Sequence, residues 1–309
     1  MKVKLTTGSV DSILRVLPKV HLPTVKNRSN GADPFSTYKK PCLSTVLARA
    51  FKSLHGTSAA SRTRLRARFR SILVAILASC RIVKVIRGFD MACLRIQRTL
   101  DKVPSQTSLS KHARSQIALL AKYALLISTI MTALYDMTNN IRDLVVSQQD
   151  PEALMSTVHQ AHHALLRLLG RAVEEGSQAQ DSLAFFEKEA IRTLSYPRII
   201  QTLLVFLLGS DWSHREVART TVPPAIRGVR TDLQSIVALT VHLRDCVVEL
   251  RQKFSIAQLV TIRGAQETMR SEISVFIKQE AWVLYSHART AKETADFIGK
   301  LAEEPCPRL

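Results

Sequence analysis

Helix breakers are what this chain has least of. Only 10 glycines and 11 prolines occur in 309 residues, and they gather near the N-terminus and at a few sharp places, so long stretches run without interruption. Aromatic residues make up 6% of a chain that is 46% hydrophobic. The core must therefore be built from Leu, Ile, Val and Ala, a mix that suits helices better than a β-sandwich. Cysteine pairs are missing too. Cys42, Cys80, Cys93, Cys246 and Cys306 include no C-x-x-C and no metal-ligand spacing, and such an odd, scattered set reads as reduced thiols in an intracellular compartment.

Motifs of chemistry are also absent. No G-x-x-x-x-G-K-[ST], G-x-G-x-x-G or G-x-S-x-G occurs, so neither a phosphate-cradling loop nor a serine-hydrolase elbow has support. Histidines are densest in "VHQAHHALL", where His159 and His163 stand four apart with His162 beside the latter. No glutamate stands in an H-E-x-x-H or E-x-x-H relation to them, and they read as polar-face histidines rather than metal ligands. The acid pairs Glu174–Glu175 and Glu187 with Glu189 read as surface groups with cations nearby on the same helix. The expectation is a protein without catalytic activity, cofactor or metal.

Acidic residues are nearly missing from one end. Residues 1–100 carry 20 Lys or Arg against Asp11, Asp33 and Asp90, for +17, while the remaining 209 residues carry 24 basic and 22 acidic groups, for +2. A polycation joined to a nearly neutral body points to a polyanionic partner. The charge is densest in "SRTRLRARFR", where Arg62, Arg64, Arg66, Arg68 and Arg70 stand at every second position and are followed by ten uncharged residues. A period of two scatters them to opposite sides of a helix, so this run is expected to be solvated or wrapped by its partner. Arg81 and Lys84 extend the patch.

The organisation follows from punctuation and period. Residues 1–60, with Pro18, Pro23, Pro34, Pro41 and "NRSNGADP", predict a basic, mostly disordered arm. The N-terminus lacks the apolar core of a secretory signal, while its basic, acid-poor composition overlaps with that of mitochondrial transit segments. Residues 61–303 predict a bundle of long helices and 304–309 a frayed tail. The first seam runs Ala75, Ser79, Ile82, Ile86, Phe89, Cys93, Ile96, Leu100, Val103 in alternating steps of four and three. A second runs from Ile117 to Val145, and a third from Leu165 to Leu194 after Pro151, the favoured first helical residue. A short apolar segment from "YPRII" is expected to stop at Gly209, with a fifth helix after "TTVPPAIRG" and a sixth from about 256 to 303. Small residues Ala281, Ala288, Ala291 and Ala295 on the sixth permit close approach of a neighbour. The fold class expected is thus all-α, an elongated antiparallel bundle of heptad-patterned helices behind a basic arm.

Three function classes remain open. In the first, the protein associates with an anionic membrane surface through Arg62, Arg64, Arg66, Arg68, Arg70, Arg81 and Lys84, with apolar segments inserting. Residues 117–135, nineteen long with only Lys122 charged, are the candidate for insertion, although the seam continuing past Asp136 favours a central bundle helix. In the second, the basic arm binds nucleic acid and the bundle serves as an oligomerising body; Phe35, Tyr38, Phe51, Phe69 and Phe89 offer little for base stacking. In the third, the seams pair with a second copy or with partner helices, as a coiled-coil scaffold. The first is the leading expectation, in an intracellular, membrane-associated protein with a mitochondrial setting as the variant.

Overall fold

Among the described residues, five helices form along the seams that the sequence marks out. The computed structural model describes residues 59–103, 107–146, 151–195, 198–253 and 267–303. Most of the expected basic arm, the tail from 304 and the expected break near Phe254 lie outside these residues. The helices are α1 (Ala59–Asp101), α2 (Thr107–Val146), α3 (Pro151–Leu194), α4 (Arg198–Lys253) and α5 (Glu267–Glu303). Among the described residues there is no strand, and all five helices belong to one compact unit, Leu47–Leu309. At about 1.5 Å per residue the 43 residues of α1 span roughly 65 Å.

The seams are the core. All nine residues of the first, from Ala75 to Val103, are buried, with Ile82, Ile86, Phe89 and Cys93 fully so. On α2 the seam is buried from Ile117 to Ile141, and on α3 from Leu165 to Leu194. Leu233, Ile236, Leu243 and Val247 of α4 are fully buried, and so are the small residues Ala281, Ala288, Ala291 and Ala295 of α5 to within a few per cent. The pair with the most extensive packing is α2 with α5, which is where the alanines let two backbones approach. Ser128 Oγ there donates to the Ala288 carbonyl oxygen at 2.9 Å.

Packing partners close the helices into a ring in the order α1, α4, α3, α2, α5 and back to α1. Residue contacts give the directions. Gln116 meets Ser182 and Tyr123 meets Gly176, so α2 and α3 run antiparallel. Glu187 meets Arg227 and Gly176 meets Val237, so α3 and α4 do as well. Ser79 faces His287 and Arg87 faces Thr290, so α1 and α5 ascend together. Helices α1 and α2, adjacent in sequence, touch only slightly, because α5 lies between them.

The arginine run belongs to the bundle, since α1 begins at Ala59 and takes in Arg62 to Arg70. Alanine, leucine and arginine are all strong helix formers, and no glycine or proline stands between Ala59 and Arg87 to stop propagation. The breaks expected at Gly209 and at "VPP" are corrected, since neither occurs. Helix α4 continues for 56 residues with Pro223 and Pro224 inside it. The prolines remove the donors that would pair with the Arg219 and Thr220 carbonyls. Full burial of Val222, Ile226 and Val229 around them holds the helical path nonetheless, a case of tertiary packing overriding local propensity.

Glycines inside the helices separate two situations. A Cβ built on Gly170, Gly228 or Gly299 meets nothing within 4 Å, whereas on Gly176 it would lie 2.5 Å from Val237 Cγ2 and 2.9 Å from the Tyr123 hydroxyl. Each of G170A, G228A and G299A is expected to raise unfolding free energy by about 0.5–1 kcal/mol. G176A should lower it, by about 1–3 kcal/mol of overpacking set against that gain. Urea unfolding of the four variants checks the opposite signs.

Candidate functional site

Helix α1 turns its cations outward. Lys84, Arg87, Arg95 and Arg98 are exposed and Arg81 is half-exposed. They recur once per turn on the side of the helix opposite the seam, with Met91, 64% exposed, in the same stripe. The seam and the cations thus divide the helix between core and solvent. Positions 62, 66 and 70 fall on the same stripe by helical register, and 64 and 68 fall on the other side. Of the seven residues singled out from sequence, Arg81 and Lys84 are seen on this stripe, and the side chains of Arg62, Arg64, Arg66, Arg68 and Arg70 lie outside the described ones.

The stripe does not end at the edge of α1. Arg87 donates to Thr290 Oγ1 at 3.4 Å, and Ser79 Oγ lies 3.2 Å from His287 Nδ1, so α5 is held alongside. The outward face of α5 carries Val275, Lys278, Trp282, Tyr285 and Arg289, all exposed. Trp282 is 69% exposed and stacks on Tyr285 with ring centroids 5.6 Å apart. Tyr285 in turn meets Tyr135 of α2 at 5.7 Å. Other exposed large apolar residues, such as Phe185 on α3 and Val217 on α4, fall on separate helices, which is ordinary for a protein surface. Three aromatic rings in contact at the surface are not. Arg289 is partly engaged, with Nε 2.8 Å from Glu293 Oε1.

Beside this face Asp90 is half-buried, and burial pushes its carboxyl up from the usual range against the opposing pull of its own backbone hydrogen bond and of Arg87. Asp232 of α4 is raised by burial as well, and stands next to Gly88. For a carboxylate whose folded pKa lies above its unfolded value, the native state holds the proton more tightly. Stability then falls as pH rises through the window between the two values. D232N should therefore be more stable than the parent protein at neutral pH, and the advantage should vanish on acidification below the usual carboxylate pKa. Urea unfolding at several pH values reads this; a constant difference between D232N and parent would contradict it.

The histidines and acids of α3 part between core and solvent. His162 is fully buried, with Nδ1 3.1 Å from the Val158 carbonyl oxygen, while His159 and His163 are exposed. His162 is thus not the polar-face residue expected. Glu187 is also corrected from surface to core: its side chain is 7% exposed and is held by Arg227 and Arg230. Glu175, by contrast, pairs with Arg171 on the surface of its own helix. Cys80, Cys93 and Cys246 carry free thiols, and burial pushes Cys93 up to about 12 and Cys246 to about 11. Among the described residues no group of three or more His, Cys, Asp or Glu could hold a metal ion.

Among the described residues one helix, Ser108–Asp143, is long and apolar enough to cross a membrane, its most apolar stretch having a mean hydropathy of 1.9. Just over half of that stretch is buried within the bundle. Its outward side carries Lys111, Ser115, Lys122, Thr129, Thr132 and Asp136, interspersed with Leu119 and Leu125. No family model, curated protein or solved structure matches the chain.

Proposed function

We propose that this protein is a non-enzymatic helical bundle that docks on anionic membrane surfaces inside the cell through the outward stripe of α1. The carrying observation is the stripe itself: Arg81, Lys84, Arg87, Arg95 and Arg98 on one solvent-facing side of a long helix, with positions 62, 66 and 70 in register with them. Each basic residue held near an anionic headgroup layer contributes about 1 kcal/mol, falling off within a Debye length. A straight row of cations suits a planar surface, since all of its members can approach together. Docking without crossing is the form that the polar outward stripe of α2 supports. Its buried side is committed to α3 and α5, and its exposed side would place Lys122 and Asp136 in hydrocarbon.

The test is co-sedimentation of the full chain with vesicles of phosphatidylcholine alone and with 30 mol% phosphatidylserine, beside a gel shift with random-sequence single-stranded nucleic acid, each at low and high salt. Binding confined to the anionic vesicles, weakening as salt rises, is expected. Binding to nucleic acid without binding to vesicles would overturn the proposal and move the protein to the class of nucleic-acid binders.

A further inference from the structure

Resting on that reading, we infer that the Trp282–Tyr285 pair is an interfacial anchor that sinks into the headgroup layer and fixes which side of the bundle lies against the lipid. Cations alone would hold a helix at a distance and leave it free to roll. The α5 face adds what they lack.

Trp282 exposes 69% of its surface, a costly way to leave a large apolar ring in water. It is stacked on Tyr285, and Tyr285 meets Tyr135 at a tilt, so the cluster is presented by two helices rather than by one swinging side chain. Amphipathic aromatic rings of this type favour the membrane–water interface, where the ring body meets acyl chain and the polar atom meets headgroup. Lys278 and Arg289 lie on the same outward face, one turn before Trp282 and two turns after it. Lys278 has a stem long enough to reach phosphates while the rings go deeper, and Arg289 is paired with Glu293 of its own helix. Val275 continues the face with an exposed aliphatic residue, which adds to lipid partition and contributes nothing to base stacking. The Arg87–Thr290 hydrogen bond and the Ser79–His287 contact hold α5 beside α1, so the cations and the rings stand on neighbouring helices. Two of the three rings are already stacked on each other, which removes faces that a nucleobase would need and favours lipid over nucleic acid.

The chain has two tryptophans, Trp212 and Trp282, so W212F leaves Trp282 as the sole indole reporter. The full-length W212F protein is titrated with the 30 mol% phosphatidylserine vesicles, with and without brominated acyl chains. Expected are a blue shift of Trp282 emission, protection from aqueous acrylamide, and quenching by the brominated lipid. W282A/Y285A should weaken vesicle partition by roughly tenfold or more at high salt, where the cationic contribution is screened, and W282F should restore most of it. Vesicle binding with unchanged Trp282 emission and unchanged affinity of W282A/Y285A would overturn the anchor and leave the docking reading standing. Absence of vesicle binding would overturn both, and a Trp282 response to single-stranded nucleic acid but not to vesicles would overturn the lipid assignment.

Discussion

Replacing Arg227 and Arg230 together by methionine is expected to lower unfolding free energy by about 3 kcal/mol or more, among the largest losses available from any pair of partly exposed residues. The cause lies in the group left behind. Glu187 is 7% exposed on α3, and its two oxygens have separate partners on α4: Arg227 Nε donates to Oε1 at 2.8 Å and Arg230 lies 3.0 Å from Oε2. With both guanidinium groups gone, the Glu187 carboxyl group is left buried without its partners, which costs several kcal/mol. E187Q should cost less, because the arginines that it strands are 60% and 38% exposed and can turn to water. The triple variant E187L/R227M/R230M should recover most of the loss, since an apolar trio can pack where a broken ion pair cannot. Urea unfolding of the three variants checks the ranking; if R227M/R230M were as stable as E187Q, the buried carboxylate would not be the source.

Neutralising the outward stripe should have the largest effect on function. R81Q/K84Q/R87Q/R95Q/R98Q removes five cations from one side of α1, and at about 1 kcal/mol each this predicts roughly a thousandfold or greater loss of affinity for anionic vesicles at low salt. Glutamine and arginine have similar helix propensities, so the far-ultraviolet circular dichroism should not change. Substituting all of Arg62, Arg64, Arg66, Arg68 and Arg70 by glutamine should likewise abolish binding. The register of α1 makes a finer prediction within that set. R62Q and R66Q, whose positions fall on the stripe, should each weaken binding more than R64Q or R68Q, whose positions fall on the other side of the helix. Equal effects from all four would mean that charge density rather than register governs docking.

Much of the fold is legible in the sequence because steps of three and four encode burial directly. The seam from Ala75 to Val103 is read from spacing alone, and every member is in the core. Punctuation is less reliable. Gly209 and the Pro223–Pro224 pair read as a stop and a turn, yet α4 passes through all three, since local propensity is small beside the burial of residues such as Val222 and Ile226. Pairings across helices leave no trace in a single sequence. Glu187 looks like a surface acid until Arg227 and Arg230 arrive from forty residues away. The outward face is half legible in the same way: the cations of α1 announce themselves by charge, while Trp282 and Tyr285 are two aromatics in an ordinary helix until α5 is laid beside α1.

The position of α5 has a consequence for how the molecule comes to exist. Helix α5 lies between α1 and α2, so during synthesis the chain must hold a groove open for it until it emerges. The Ser128 bond to Ala288 and the Ser79 contact with His287 both close over separations of more than 150 residues. Such distant partners make closure a late and entropically costly event. A nascent or truncated chain would carry the α1 and α2 seams uncovered, and the outward face would be missing its aromatic half. Assembly of the bundle and assembly of the outward face proposed to meet lipid are thus one step.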